Sequence, residues 1–187
     1  MPEKYSTIQK DFYRESGIWL SRFQIWKKCI SPNLHFIYIL RKAQQFKKNS
    51  LGGIFWRIIL RHFQIKYGFQ IYPETTIGEG FYLGHWGSLV INPNVVIGKN
   101  CNIAQGVTIG QQNRGKNSGY PVIGDEVWIG TNAVVVGGIT IGNNVLIAPN
   151  SYVTFSVPAN CVVAGNPAKI MENENATEGY IGNKVIL

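Results

Sequence analysis

The residue of this chain best placed to do chemistry is His85, in Leu83-Gly-His-Trp-Gly-Ser88. Only three histidines are present, and His35 and His62 fall in stretches with helical spacing. An imidazole titrates near neutrality, so an accessible one can take a proton from a hydroxyl as general base. A lone histidine is equally compatible with a structural role, and spacing by itself leaves both readings open. The second suggestive stretch is the polar, glycine-rich Gln111-Gln-Asn-Arg-Gly-Lys-Asn-Ser-Gly-Tyr120. Its composition predicts a projecting loop over 111–121, and long loops on rigid scaffolds often carry function. Arg114 and Lys116 suit a phosphate or an anionic acceptor, or simply a solvated surface. One histidine in this part of the chain cannot assemble a metal site, so no metal is expected.

Both features sit in a repeat. An aliphatic residue leads every six, at Ile71, Ile77, Leu83, Ile91, Ile97, Ile103, Ile109, Ile123, Ile129, Val135, Ile141, Ile147 and Val153. The beat slips by a two-residue insertion, read at Leu89 and Val90, and is interrupted by the loop. Six is a poor multiple of 3.6, so no helix keeps these positions on one face. The pattern predicts a parallel β-helix, with the leading aliphatics stacked inside and glycines at the corners. Cys101 takes the fifth place of a hexad and is expected in the core.

The first third differs. Residues 1–70 hold thirteen Lys/Arg and three Asp/Glu, a net of +10, against −2 for the remainder. Helical spacing is read over residues 7–30 (Ile8, Phe12, Trp19, Phe23, Trp26, Ile30), with Thr7 as N-cap. Ser31-Pro32-Asn33 breaks it, a second helix follows over 34–48, and a third over 54–66 places Ile58, Ile59 and Phe63 on one side. The basic region suits a packed helical cap, docking on an anionic membrane surface beside its tryptophans, or, least well, a nucleic acid, for which no binding motif is present. Three scattered cysteines, the absence of a signal-type h-region and the lack of any run near ~20 apolar residues point to a cytoplasmic protein, with contact at the inner face of the cell membrane as a further option. The expected organisation is a helical region over 1–66, the β-helix over 67–170 closed by Ala164-Gly-Asn-Pro-Ala-Lys-Ile170, and a loosely ordered tail over 171–187 with a short strand after Tyr180.

The stretch from Gly68 to Ile170 resembles the left-handed parallel β-helix of hexapeptide acyltransferases, in their serine acetyltransferase-like branch. The resemblance is carried by Ile77-Gly-Glu-Gly80, Gly84-His85, Gln105-Gly-Val-Thr-Ile-Gly110, the loop, and Pro158 through Ile170. It implies a mainly β fold, a homotrimer with active sites between subunits, acetyl-CoA as co-substrate and His85 as general base. It further implies coenzyme contacts at Gly110, Gly130, Thr131, Ala148, Pro149 and Lys169. Against that family's pattern, Gly84 replaces an aspartate, Gly119-Tyr120 replaces Arg-His, and Gln70 replaces the aspartate that orients the histidine. A serine acceptor carries two charges that need partners. The expectation is therefore a neutral saccharide hydroxyl as acceptor, with Tyr120, Trp86 and Arg114 facing it and Gln70 holding the imidazole. The pattern Gly84-His-Trp-Gly87, followed by Val90-Ile-Asn-Pro-Asn-Val-Val96, resembles the O-acetyltransferases of colanic acid and capsule synthesis. Serine O-acetylation and a non-catalytic β-helix scaffold are the alternatives.

Overall fold

A computed structural model describes residues 4–29 and 31–186; Ile30, one of the apolar positions in the helical reading above, and Leu187, at the end of the expected final strand, lie outside the described residues. The repeats wind into a parallel β-helix with three faces. The first sheet stacks Phe69–Ile71, Leu89–Ile91, Thr108–Gly110, Val134–Val136 and Tyr152–Val153. The second stacks Thr76–Ile77, Val96–Ile97, Val122–Ile123 and Thr140–Ile141. The third stacks Tyr82–Leu83, Asn102–Ile103, Trp128–Ile129, Val145–Ile147 and Cys161–Gly165, and Ala168–Glu172 folds back antiparallel on the last of these. All thirteen leading aliphatics are buried, as is Cys101, whose thiol burial pushes up to about 12. The interior is thus a dry column of stacked side chains, and burying such residues is the main stabilising term of the fold.

One feature of the repeat is placed differently from the sequence reading. Leu89 is not inserted: it is buried and pairs with Phe69, while Leu83 pairs with Ile103 and Ile91 with Ile71. The two extra residues lie in the corner 84–88. Burial of Leu89 holds the strand register, so the surplus chain is displaced into the turn that carries His85.

Glycine is required in the column Gly78, Gly98, Gly124 and Gly142. A Cβ on Gly98 would lie 2.5 Å from the carbonyl oxygen of Gly124 and 2.4 Å from Asp125 Oδ1. Coils stacked this closely leave no room for a methyl group, and the contact is with backbone that cannot swing away. Gly98→Ala is expected to cost roughly 1–3 kcal/mol, the range for overpacking, read as a lowered urea midpoint with an unchanged m-value.

Four helices precede the β-helix among the described residues: α1 (Thr7–Ser16), α2 (Arg22–Lys28), α3 (Pro32–Gln45) and α4 (Leu51–Tyr67). The single helix read over 7–30 is two. Gly17 adopts φ +66° and donates its N–H to Tyr13 O, ending α1, and this left-handed cap is what glycine permits. Trp19 then lies off the helices, stacked on Tyr5 and Tyr13 with centroids 4.1 and 4.2 Å away. The N-cap is Ser6 rather than Thr7, in a capping box with Gln9. Pro32 begins α3 instead of preceding it, as suits a residue without an N–H in the first turn. On α4, Ile58 is exposed while Ile59 and Phe63 pack on the core.

The helices share a hydrophobic core with the first coils, through Phe36, Leu40 and Leu60 against Phe69 and Ile71. Part of the basic charge is spent at this junction. Asp11 and Arg41 form a buried ion pair, Lys10 pairs with Glu79, and Arg14 donates to Gly80 O, Gly182 O and Asn102 Oδ1. No helix among the described residues is long and apolar enough to cross a membrane.

The segment after Glu172 departs most from expectation. Residues 173–186 form a strap across the outer face of the third sheet, with Ala176, Thr177, Ile181 and Val185 buried. Asn100 bonds both the N–H and the carbonyl of Val185, Asn102 donates to Tyr180 O, and Asn144 accepts from the N–H and hydroxyl of Thr177. No strand forms after Tyr180 among the described residues.

Candidate active site

The register of the third sheet decides which side chains meet. Leu83, Ile103, Ile129, Ile147 and Val163 are successive partners. The residues that follow them therefore stack in two columns at the corner between the third and first sheets. One column is Gly84, Ala104, Gly130, Ala148 and Ala164; the next is Gln105, Thr131, Pro149 and Gly165, and the surplus turn brings Gly87 next to Gln105 while His85 stands beside the column. A groove opens on this edge beside Gly84 and Ala104; farther along, the column is closed at Gly130, where a Cβ would lie 2.7 Å from Pro149 N and from Trp128. Of the sequence candidates, His85, Thr131, Gly130, Ala148 and Pro149 share this edge, and Lys169, paired with Ala164, lies at its far end.

Beside His85 the groove has a volume of about 310 Å³ and is lined by Tyr82, Asn102, Gln105, Trp128, Thr131 and Tyr180 among others. His85 itself is exposed. Its turn is anchored from both sides: Asn33 Nδ2, in the first turn of α3, donates to Gly84 O at 3.2 Å, and Gly87 N donates to Tyr67 O at 3.1 Å. Helices α3 and α4 thus position the loop that presents the imidazole. Burial, followed by the nearby Glu15 carboxylate, pushes the Tyr82 phenol up, so that group stays a neutral donor at physiological pH. Trp86, next to His85, is 60 % exposed.

Other candidates lie elsewhere. The 111–121 loop leaves the corner between the first and second sheets, a different edge of the prism. It is a short antiparallel excursion held by Gln112–Gly119 backbone bonds, by Gly138 N donating to Asn117 O and by Asn117 Nδ2 donating to Thr154 O. Arg114 is exposed, Tyr120 is half-buried, and Gly110 sits at the base of the loop. Gln70 points outward from the first sheet. Its Nε2 donates to Tyr72 Oη at 3.0 Å, and it lines a separate cavity with Gly68 and Ser88. Within one chain, then, His85 shares its edge with Gly130, Thr131, Ala148, Pro149 and Lys169 but not with Gly110 or the loop residues. A second copy would have to present its loop edge to complete the set.

Asn33, Gln105, Trp128 and Tyr180 were not singled out from sequence. Gln105 follows from the register alone, since Ile103 pairs with Ile129 and so sets it one coil before Thr131. Asn33 and Tyr180 arrive from distant segments with no periodic signal.

The fold and repeats define a hexapeptide-repeat β-helix. Residues 120–154 match the family described as "Bacterial transferase hexapeptide (six repeats)", and residues 89–112 match "Hexapeptide repeat of succinyl-transferase". Serine acetyltransferases are among the chain's homologues. It is 36 % identical over 138 residues to the serine acetyltransferase of Bacillus pumilus, covering 74 % of this chain and 63 % of that protein. It superposes on the crystal structure of serine acetyltransferase from Brucella abortus with a TM-score of 0.74 and 29 % identity, covering 92 % of this chain and 70 % of that one. The same enzyme in complex with coenzyme A gives a TM-score of 0.71 at 29 % identity, over 89 % of this chain and 65 % of that chain. This chain spans less than two-thirds of the length of the curated relatives it matches.

These relatives overturn the saccharide acceptor and the assignment to polysaccharide synthesis. That expectation rested on uncharged residues at Gly84, Gly119 and Gln70. The physical flaw is that it tied the partner charges of serine to three fixed positions. Any side chain reaching the groove, including one from a neighbouring copy, can supply a charge.

Proposed function

We propose that this chain is the subunit of a trimeric, acetyl-CoA-dependent serine O-acetyltransferase. The observation that carries the reading is the groove that His85 shares with Gln105 and Thr131, on the edge where Gly130, Ala148 and Pro149 also stack. Support for the acceptor comes from the serine acetyltransferase relatives. In this proposal acetyl-CoA lies along that edge, with Lys169 toward its phosphates. Gly110, Tyr120, Trp86 and Arg114 meet it and the acceptor where a neighbour's loop edge closes the groove, and Arg114 pairs with the serine carboxylate. His85 takes the hydroxyl proton as the serine oxygen attacks the thioester carbonyl. A new C–O bond forms, the C–S bond breaks, and the imidazolium returns the proton to the departing thiolate. Gln70 lies in the separate cavity with Ser88, and in this proposal its amide oxygen, which accepts no bond among the described residues, turns from there to support the imidazole.

The test is thiol release from acetyl-CoA with and without L-serine. Serine-dependent release, with O-acetylserine formed in equal amount, is the expected result. Acetyl-CoA binding in calorimetry without any serine-dependent release would overturn the acceptor assignment.

A further inference from the structure

Helix α4 is apolar on two sides. Leu60, Ile59 and Phe63 pack on the core, while Leu51, Ile54, Phe55, Ile58 and Ile65 recur at helical spacing on the outside and are between 48 and 90 % exposed. A surface helix ordinarily turns polar residues to water, so a second apolar stripe with nothing over it among the described residues marks a contact surface. Ile54 and Ile58 border a cleft of about 440 Å³ whose other walls are Lys48, Asn49, Arg57 and Arg61.

The charge around the stripe has one sign. Residues 16–73 hold ten Lys/Arg and no Asp/Glu. Within that span Arg41 is paired with buried Asp11, and Glu74 lies 2.8 Å from Arg57 and 4.0 Å from Lys48. Arg61 and Lys66, both exposed, have no carboxylate partner among the described residues. A second copy docked on the stripe by a twofold axis would set these cations against their own images. A bilayer with anionic headgroups offers the opposite sign and, just beneath it, an apolar layer. We infer that α4 docks on the surface of a membrane containing anionic phospholipids. Phe55, Ile58 and Ile65 enter between the headgroups, and Lys48, Arg61 and Lys66 reach up their sides to the phosphates. The helix lies along the surface and does not cross it. The inference needs neither the coenzyme nor the acceptor, so it stands or falls apart from the proposed reaction.

Flotation of the full chain tests it with two sets of vesicles, pure phosphatidylcholine and equal parts phosphatidylcholine and phosphatidylglycerol. The chain is expected to float with the mixed vesicles and to stay behind with the neutral ones. Lys48→Gln/Arg61→Gln should weaken binding to the mixed vesicles roughly tenfold, the scale set by two cations at an anionic surface. Phe55→Ser/Ile58→Ser should weaken it by about as much through lost apolar burial, whereas Phe55→Leu/Ile58→Leu keeps the stripe and should bind like wild type. All four positions are exposed, so each variant should keep the wild-type Tm. Wild type that floats with neither set, or equally with both, would overturn the inference, as would undiminished binding by the serine variant. If wild type without lipid sediments as a larger particle than the serine variant, the stripe is covered by a second copy and the membrane assignment fails.

Discussion

His85→Ala should lower kcat/KM by roughly 10²- to 10⁴-fold, the range that general base catalysis contributes, while leaving the fold and assembly of the protein intact. The size of the effect follows from what surrounds the imidazole. Tyr82 is held in its neutral form by burial, Tyr180 and Trp128 contribute aromatic surface, and Asn102, Gln105 and Thr131 do not accept protons near neutrality. No lining side chain can replace the lost base. The stability side of the prediction follows from exposure: the ring is at the surface and makes no hydrogen bond among the described residues, so its removal leaves nothing unsatisfied. Steady-state kinetics with acetyl-CoA and L-serine, alongside thermal unfolding, separate the two. KM for acetyl-CoA should change little, because a base acting on the acceptor hydroxyl contributes little to coenzyme binding. Gln70→Ala should lose far less, since in the proposed mechanism that side chain acts only through the imidazole and within one chain it bonds Tyr72 instead. Near-wild-type turnover by His85→Ala would remove the mechanism.

The repeat made the scaffold legible because its physical cause is local and periodic. Every sixth residue must fill the interior, so the thirteen leads are both sequence pattern and core. The same register brings Gln105, Thr131 and Pro149 into one column beside the turn that carries His85, and that much of the site can be read by counting. Counting fails where the chain leaves the beat. The insertion read at Leu89–Val90 belongs to the 84–88 turn, because an aliphatic residue that keeps the interior filled is held in place and the polar turn yields. The strap is illegible for a different reason. Its polar composition reads as solvated, yet its hydrogen bonds come from Asn100, Asn102 and Asn144, dozens of residues earlier, and no short-range spacing encodes such pairings. The acceptor shows the limit of reading single positions, since loss of a charge at Gly84 or Gly119 does not show that no other residue provides it.

The basic helices pose the same problem of long-range pairing, and Asp11 is where it can be measured. Asp11→Ala is expected to destabilise the protein by roughly 3–5 kcal/mol, the cost typical of removing one member of a buried ion pair. Asp11 and Arg41 meet at 2.7 Å, with Asp11 fully buried and Arg41 nearly so. Burial pushes the Asp11 carboxyl up, and the Arg41 guanidinium and the backbone N–H of Phe81 pull against that shift. Removing the carboxylate leaves the guanidinium charge without a counterion and the Phe81 N–H without an acceptor. Arg41 also donates to Ile77 O and Gly78 O, so it cannot swing out to water without stripping those carbonyls in turn. The pair thus bolts α1 and α3 to the first coil. Denaturant unfolding of Asp11→Ala, Arg41→Met and the double variant gives the coupling directly. The double variant should be less destabilised than the sum of the two single variants, because it no longer buries a lone charge. A loss below about 1 kcal/mol for Asp11→Ala, the scale of an exposed pair, would show that the junction is hydrated rather than sealed. Turnover should fall with stability here, since α3 carries Asn33, whose amide holds the Gly84 carbonyl next to His85. A helix loosened from the first coil therefore releases the turn that presents His85.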